Sequence, residues 1–372
     1  MVSVPFCSLK LTHDQLKYDV EKAFAGVYQR GQFIMGSELE AFEKEYAFYS
    51  GSAYCVGVAN GLDALTLSLR LAGIGPEDEV IVPAHTYIAS WLAVTQVGAR
   101  VVPIDVELHS MLMDTLQVEK AITKKTKAIM PVHLYGQACE MAAIMKLAER
   151  YHLQVIEDNA QAHGCSQEGV MTGNFGICNA TSFYPTKNLG ALGDGGALTM
   201  NSKTLHEKAL HFRNYGSTEQ FINSFRGVNS RLDELQAAIL RIKLRNLEEW
   251  NRQRRAIAFS YQHELEGVGD LRLPGFHENN KHVYHLFVVR TEQRDELRSY
   301  LFQKGIGTMI HYPIPPHLQE AYADHKFKRG DFPIAEAITG TALSLPIWPG
   351  LSEPQQNWVI TSIKNFYQNR QS

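Results

Sequence analysis

The sequence predicts an α/β protein: a mostly parallel sheet covered by helices, followed by a smaller α+β unit. Three observations carry this expectation. Short apolar runs alternate with amphipathic segments through the first two-thirds of the 372 residues, the rhythm of βαβ units that close through crossover helices. From Leu232 the pattern changes to a long apolar stripe at helical spacing. Past residue 255 two strand-like runs flank a single helix-like one.

Taken in order, VANGLDALTLSLR (58–70) is a strand end followed by Asn60-Gly61 and the start of a helix. EVIVPA (79–84), RVVPIDV (100–106), KAIMPVHLYG (127–136), QVIEDNA (154–160) and ATSFYP (180–185) are Val- and Ile-rich or end in Pro, Gly or Asp, and read as buried strands. Between them MAAIMKLAERYH (141–152) sets Ile144, Leu147 and Tyr151 on one helical face. Leu235, Ile239, Ile242, Leu247 and Trp250 then form the stripe of one long helix, the joint between a unit over residues 1–245 and a smaller one over 246–372. The basic run Arg252 to Arg255 reads as a solvated face. HVYHLFVVR (282–290) and GIGTMIHYP (305–313) read as strands on either side of the helix RDELRSYLFQK (294–304).

Bulk properties exclude several classes. A net charge of −3 supplies no field for nucleic acid or an anionic membrane. Cys7, Cys55, Cys139, Cys165 and Cys178 are odd in number and form no C-x-x-C pair, so neither a disulfide framework nor a metal site is expected. No apolar stretch is long enough to cross a bilayer and no signal-peptide pattern opens the chain, so a soluble cytoplasmic protein is expected.

The chemistry concentrates around Lys187, in SFYPTKNLGALGDGG (182–196). Gly190, Gly193, Gly195 and Gly196 let the backbone turn sharply and approach a ligand or strand, through positive φ and the missing Cβ. An amine held in such a crowded, dry turn loses its proton more readily and becomes a Schiff-base nucleophile. A lone lysine beside glycines is more often a surface residue, so the rest of the chain has to decide. Asp158 ends QVIED, and ligands of doubly wound sheets collect at such carboxyl ends. A strand-terminal aspartate is otherwise a helix N-cap, and Glu157 reads as no more than its neighbour. The Asn60-Gly61 turn opens a helix whose free N–H groups suit a phosphate. A lysine, a carboxylate for a pyridine nitrogen and a phosphate cup are the parts that pyridoxal 5′-phosphate (PLP) requires.

The segments FIMGSELEAFEKE (33–45), NGLDAL (60–65), VIVPAHTYIAS (80–90), PVHLYGQ (131–137), VIEDNAQAHG (155–164), SFYPTKNLGALGDGG (182–196), RNYG (213–216) and NSRLDELQAA (229–238) resemble, in this order, those of the DegT-type sugar aminotransferases. These are PLP enzymes of the aspartate-aminotransferase-like fold type I, with a mostly parallel seven-stranded sheet in the large domain and a smaller C-terminal α+β domain. The resemblance implies that Lys187 forms the internal aldimine, Asp158 pairs with the pyridinium nitrogen, and Gln161 contacts the ring oxygen. It further implies that Ser182 contacts the phosphate, Tyr87 stacks on the ring, and Asn229 reaches the phosphate of the other subunit of a homodimer. On residues alone Ser182 could be a plain strand hydroxyl, Gln161 a cap partner and Tyr87 a core aromatic. The loop before Asn229, NYGSTEQFINSFRGV, then reads as an intersubunit arm.

Many relatives carry an S-G-T pattern at the first phosphate turn, where this chain has Asn60-Gly61-Leu62-Asp63. Leu62 offers no hydroxyl, so binding there rests on the N–H groups of Gly61 and Leu62. This form resembles the branch that aminates C3 of dTDP-linked 3-keto-6-deoxy-hexoses with glutamate, for surface polysaccharide or glycoconjugates. Tyr184, Tyr215 and His311 are candidates for the sugar pocket. Lysine at 187, which some relatives replace by histidine, argues against dehydratase chemistry. A 4-keto or UDP-linked sugar, a PLP-binding regulator and a glycine-cradled nucleotide site are the competing readings. The regulator lacks a DNA-binding module here, and no phosphate-loop motif follows a strand.

Overall fold

The computed structural model of the chain describes residues 3–276 and 279–368. Its centre is a sheet of seven strands in the spatial order 100–104, 79–83, 126–129, 154–155, 179–182, 196–200, 54–58. Four strands on one side pair in parallel. They join the other three through the parallel bridge Asp158 to Ala180, where Ala180 N–H donates to Glu157 O at 2.9 Å and Asn159 N–H to Ala180 O at 2.8 Å. Only Gly196–Met200 runs against the rest. The sheet is therefore mostly parallel, and its burial on both faces explains why its strands read as continuous apolar runs instead of alternating ones.

Helices Gly61–Leu71, Ala89–Gln96 and Lys203–Phe212 cover one face through a core that includes Leu65, Leu69, Trp91 and Val94. On the other face, helix Met141–Tyr151 contributes Ile144 and Ala148. A separate core gathers Ile257, Tyr261, Phe287, Leu297, Leu343, Val359 and Ile363 around the antiparallel pair Phe287–Arg290 and Ala342–Leu345. Val4 joins this core, bridging to Ile306. All five cysteines are free thiols. Among the described residues no helix is long and apolar enough to cross a membrane.

Several elements differ from the sequence expectation, each for a physical reason. The ladder at 154–160 stops at Val155: beyond it Asp158 keeps only single bridges to Val132 and Ala180, and Glu157 N–H donates to the Asn179 side chain at 3.3 Å. The apolar face of 141–151 is Met141, Ile144 and Ala148. Tyr151 points outward, its hydroxyl donating to Glu119 Oε1 at 2.8 Å. The long helix is two, Glu234–Leu244 and Leu247–Leu265, and the apolar stripe runs across the join. Arg254 departs from the solvated face: it is buried and donates from one nitrogen to the carbonyls of Tyr284, His285 and Ile347. GIGTMIHYP makes only bridges at Ile306 and Met309, and of HVYHLFVVR only 287–290 is strand.

Candidate active site

The strand ends and the Lys187 turn enclose a cavity of about 550 Å³. Of the residues singled out above, Gly61, Leu62, Tyr87, Asp158, Gln161, Ser182, Tyr184, Lys187 and His311 line it. Tyr215 and Asn229 do not. They lie together on the exposed segment around a small hairpin, where Asn214 bridges to Asn229 and the Arg231 guanidinium sits 5.7 Å from the Tyr215 ring centre.

The Lys187 turn is built by close approach. A Cβ on Gly190 would come within 2.2 Å of Pro185 O, and one on Gly196 within 2.4 Å of Asn60 O. None of the four glycines at 190–196 has a positive φ, so the expected left-handed turn is absent, and at Gly190 and Gly196 it is close contact that requires glycine. Lys187 N–H closes the turn on Tyr184 O at 2.8 Å. Burial pushes the Lys187 amine down to about 8, while the Asp158 carboxylate pulls the other way. Its imidazole neighbours stay neutral. Burial, with the lysine's charge, holds His285 well below its ordinary value and His311 at about 4. His285 donates from Nδ1 to Asn188 Oδ1 at 3.1 Å, which leaves Nε2 as an acceptor on the cavity wall.

At the floor, Asp158 accepts from Ser90 Oγ at 2.7 Å and from Ala160 N–H at 3.2 Å. Thr86 Oγ1 in turn lies 2.9 Å from Ser90 Oγ. Burial raises the Asp158 pKa against these hydrogen bonds and the charge of Lys187. At the opposite end Asn60 caps helix Gly61–Leu71, its side chain accepting from Asp63 N–H at 2.8 Å. That leaves the N–H groups of Gly61 and Leu62 at the cavity edge. Gly61 touches Ser182 so closely that a Cβ would lie 2.6 Å from Ser182 Cβ. Gln161 is fixed from both sides, Oε1 accepting from Tyr135 N–H at 2.7 Å and Nε2 donating to the Tyr312 hydroxyl at 3.0 Å. Tyr87 is 55% exposed, which rules out a core aromatic, and its ring centre is 5.4 Å from that of Tyr312.

The arrangement fits PLP by its donor set. A buried carboxylate with spare acceptor capacity faces an amine of lowered pKa, and a helix N-terminus with a hydroxyl closes the far end. Sequence reasoning passed over Ser90, Thr86, His285 and Tyr312. The first two lay inside the AHTYIAS segment, and the imidazole and Tyr312 come from segments about a hundred residues or more further along the chain than Lys187, beside the strand Phe287–Arg290 and the bridge at Met309.

Glu157 also corrects the expectation. It is fully buried and accepts from the N–H groups of Gly173, Phe175 and Gly176 at 2.7, 2.7 and 2.9 Å, and from His133 Nε2 at 2.8 Å. Cys139 N–H donates to His133 Nδ1, so Nε2 carries the proton given to Glu157.

Fold and site together define an aminotransferase that uses PLP. Comparison agrees: the profile of the DegT/DnrJ/EryC1/StrS aminotransferase family matches residues 14–364, and the chain belongs to that family. It is 47% identical over 363 residues to the dTDP-3-amino-3,4,6-trideoxy-alpha-D-glucose transaminase of Streptomyces venezuelae, covering 98% of this chain and 96% of that one. It is 46% identical over 363 residues to the dTDP-3-amino-3,6-dideoxy-alpha-D-galactopyranose transaminase of Aneurinibacillus thermoaerophilus, with 98% and 99% covered. The crystal structure of S. venezuelae DesV superposes with a TM-score of 0.97 at 47% identity, over 99% of both chains.

Proposed function

We propose that the chain transfers the amino group of glutamate to C3 of a dTDP-linked 3-keto-6-deoxy-hexose, in the cytoplasm, for a surface polysaccharide or glycoconjugate. The observation that carries this is the opposed pair Asp158 and Lys187 in one cavity with the Gly61–Ser182 contact, read beside two C3 transaminases of similar sequence. The cofactor-binding unit in this reading spans residues 1–245 and the smaller unit 246–372.

When bound, PLP supplies an electron sink that makes the substrate carbon's hydrogen acidic. The chain's own residues do the rest. Lys187 Nζ, whose lowered pKa leaves much of it neutral near pH 8, takes and returns the proton at that carbon. Asp158 holds the ring nitrogen, with Ser90 and Ala160 fixing its carboxylate. Ser182 and the N–H groups of Gly61 and Leu62 bind the phosphate. Gln161 and Tyr87 orient the ring, and Tyr184 and His311 border the sugar. Tyr215 and Asn229, absent from their own cavity, serve the site of the second subunit of a homodimer.

The test is glutamate-dependent amination of synthetic dTDP-3-keto-6-deoxy-hexoses against their 4-keto isomers and UDP-linked analogues. Strong preference for the dTDP-linked 3-keto sugar is expected. Equal turnover of both keto isomers removes the C3 assignment, and binding of PLP without turnover of any sugar favours the regulator.

A further inference from the structure

The outermost strand, Tyr54–Val58, leads directly into the Asn60-Gly61 turn, and its free edge is blocked by a buried ion pair. Glu43 Oε1 accepts from Gly57 N–H at 2.7 Å, and Arg213 donates to Gly57 O at 2.8 Å. The two side chains also bond each other. Together they satisfy the N–H and the C=O of one edge residue as a neighbouring strand would. Both are buried, so the pair sits where charge is screened little.

Arg213 starts the segment that carries Asn229. Its carbonyl accepts from Ser230 N–H at 2.9 Å, and Ser230 Oγ accepts from Ala59 N–H at 3.1 Å. The contacts close a ring: Gly57, Arg213, Ser230, Ala59 and back along the strand. One side of the ring is the backbone just before the phosphate turn; the other includes the residue next to Asn229. Gly57 is also packed tightly from outside the ring, where a Cβ would lie 2.7 Å from Leu39 Cδ1.

We propose that Glu43 and Arg213 are positioning residues that fix the Asn229 segment against the strand carrying the phosphate turn. Each subunit thereby sets the geometry of a phosphate contact in its partner's site as well as its own. This rests on the reading that Asn229 acts across the dimer. The pair touches neither substrate nor cofactor, and its effect is on cofactor affinity.

Mixed dimers separate the possibilities. Wild-type subunits are paired, through different affinity tags, with subunits carrying both Lys187→Ala and Glu43→Gln. Each isolated mixed dimer then has one competent lysine, in a subunit whose own turn is intact, facing an Asn229 whose support is broken. The readout is borohydride-trapped PLP on Lys187 as a function of PLP concentration, with thermal stability measured alongside. Half-labelling is expected to need about three- to tenfold more PLP than in dimers of wild type with Lys187→Ala alone. A control carrying Lys187→Ala with Asn229→Ala is expected to shift about tenfold to a hundredfold. An unshifted Glu43→Gln mixture beside a shifted control overturns the proposal, and so does a fall in melting temperature with no shift. An unshifted control shows instead that Asn229 does not cross the dimer, and overturns it by removing its basis. If Glu43→Gln fails to fold, Ser230→Ala opens the same ring without unpairing a buried charge, and an unshifted half-labelling point there overturns the proposal too.

Discussion

Glu157 and Asp158 are consecutive, acidic and buried, yet they do opposite work. Glu157 is sealed by three backbone N–H groups and an imidazole N–H, four donors for the acceptor sites of one carboxylate. It pins the 173–176 turn beneath the sheet. Asp158, on the opposite face of the strand end, has two donors and a raised pKa, so it reaches the cavity with unused acceptor capacity. A saturated carboxylate is a structural brace. One left short of donors beside a cavity is poised for a cationic ligand, because the ligand's charge relieves the cost of its burial.

The comparison breaks first at turnover. Asp158→Asn is expected to keep the fold and bind PLP but to lose at least about a hundredfold in single-turnover rate with glutamate, since a neutral amide no longer favours a protonated ring nitrogen. Near-normal kinetics would make Asp158 a second brace. Glu157→Gln is expected to do the reverse. Its amide sets N–H groups against N–H donors that lose their acceptor, at a cost of about 1–3 kcal/mol in unfolding free energy for each donor left unpaired, while turnover at saturating PLP stays close to wild type. Chemical denaturation checks the first half, and a stable but inactive protein would place Glu157 in the chemistry.

That contrast was half legible in the sequence. Alternation along VIEDN sets the two carboxylates on opposite faces, and the strand-end position of Asp158 pointed to a ligand. What Glu157 does depends on Gly173 to Gly176 and His133, which are distant in sequence and carry no periodic signal. The same limit explains the other differences. The strand EVIVP was readable because burial on both faces writes itself as an apolar run. The break near Arg245 was not, since the stripe continues through it. Arg254 was misread because its partners are carbonyls, which no side-chain pattern reveals. The need for glycine at 190 and 196 was legible, but its reason, contact with Pro185 and Asn60, which forms only once the chain folds, was not.

The smallest expected effect is the sharpest discriminator of the two carboxylates. In the apo-protein the Lys187 amine titrates near 8, set by burial, which lowers it, and by Asp158, which raises it. Its reaction with an amine-selective acylating reagent should follow the neutral fraction, rising with pH and reaching half its plateau near pH 8. In Asp158→Asn the opposing charge is gone and burial acts alone, so the midpoint should move down, by less than about one pH unit. In Glu157→Gln it should stay where it is, because that carboxylate faces the other side of the strand and is not among the groups acting on the lysine. The neighbouring imidazoles do not blur the reading, since His285 and His311 are already neutral across this range. Peptide mapping of the acylated lysine at each pH gives the curve for Lys187 alone. An upward shift in Asp158→Asn, or equal shifts in both variants, would mean that the two carboxylates reach the lysine alike and that the division between brace and ligand group is wrong.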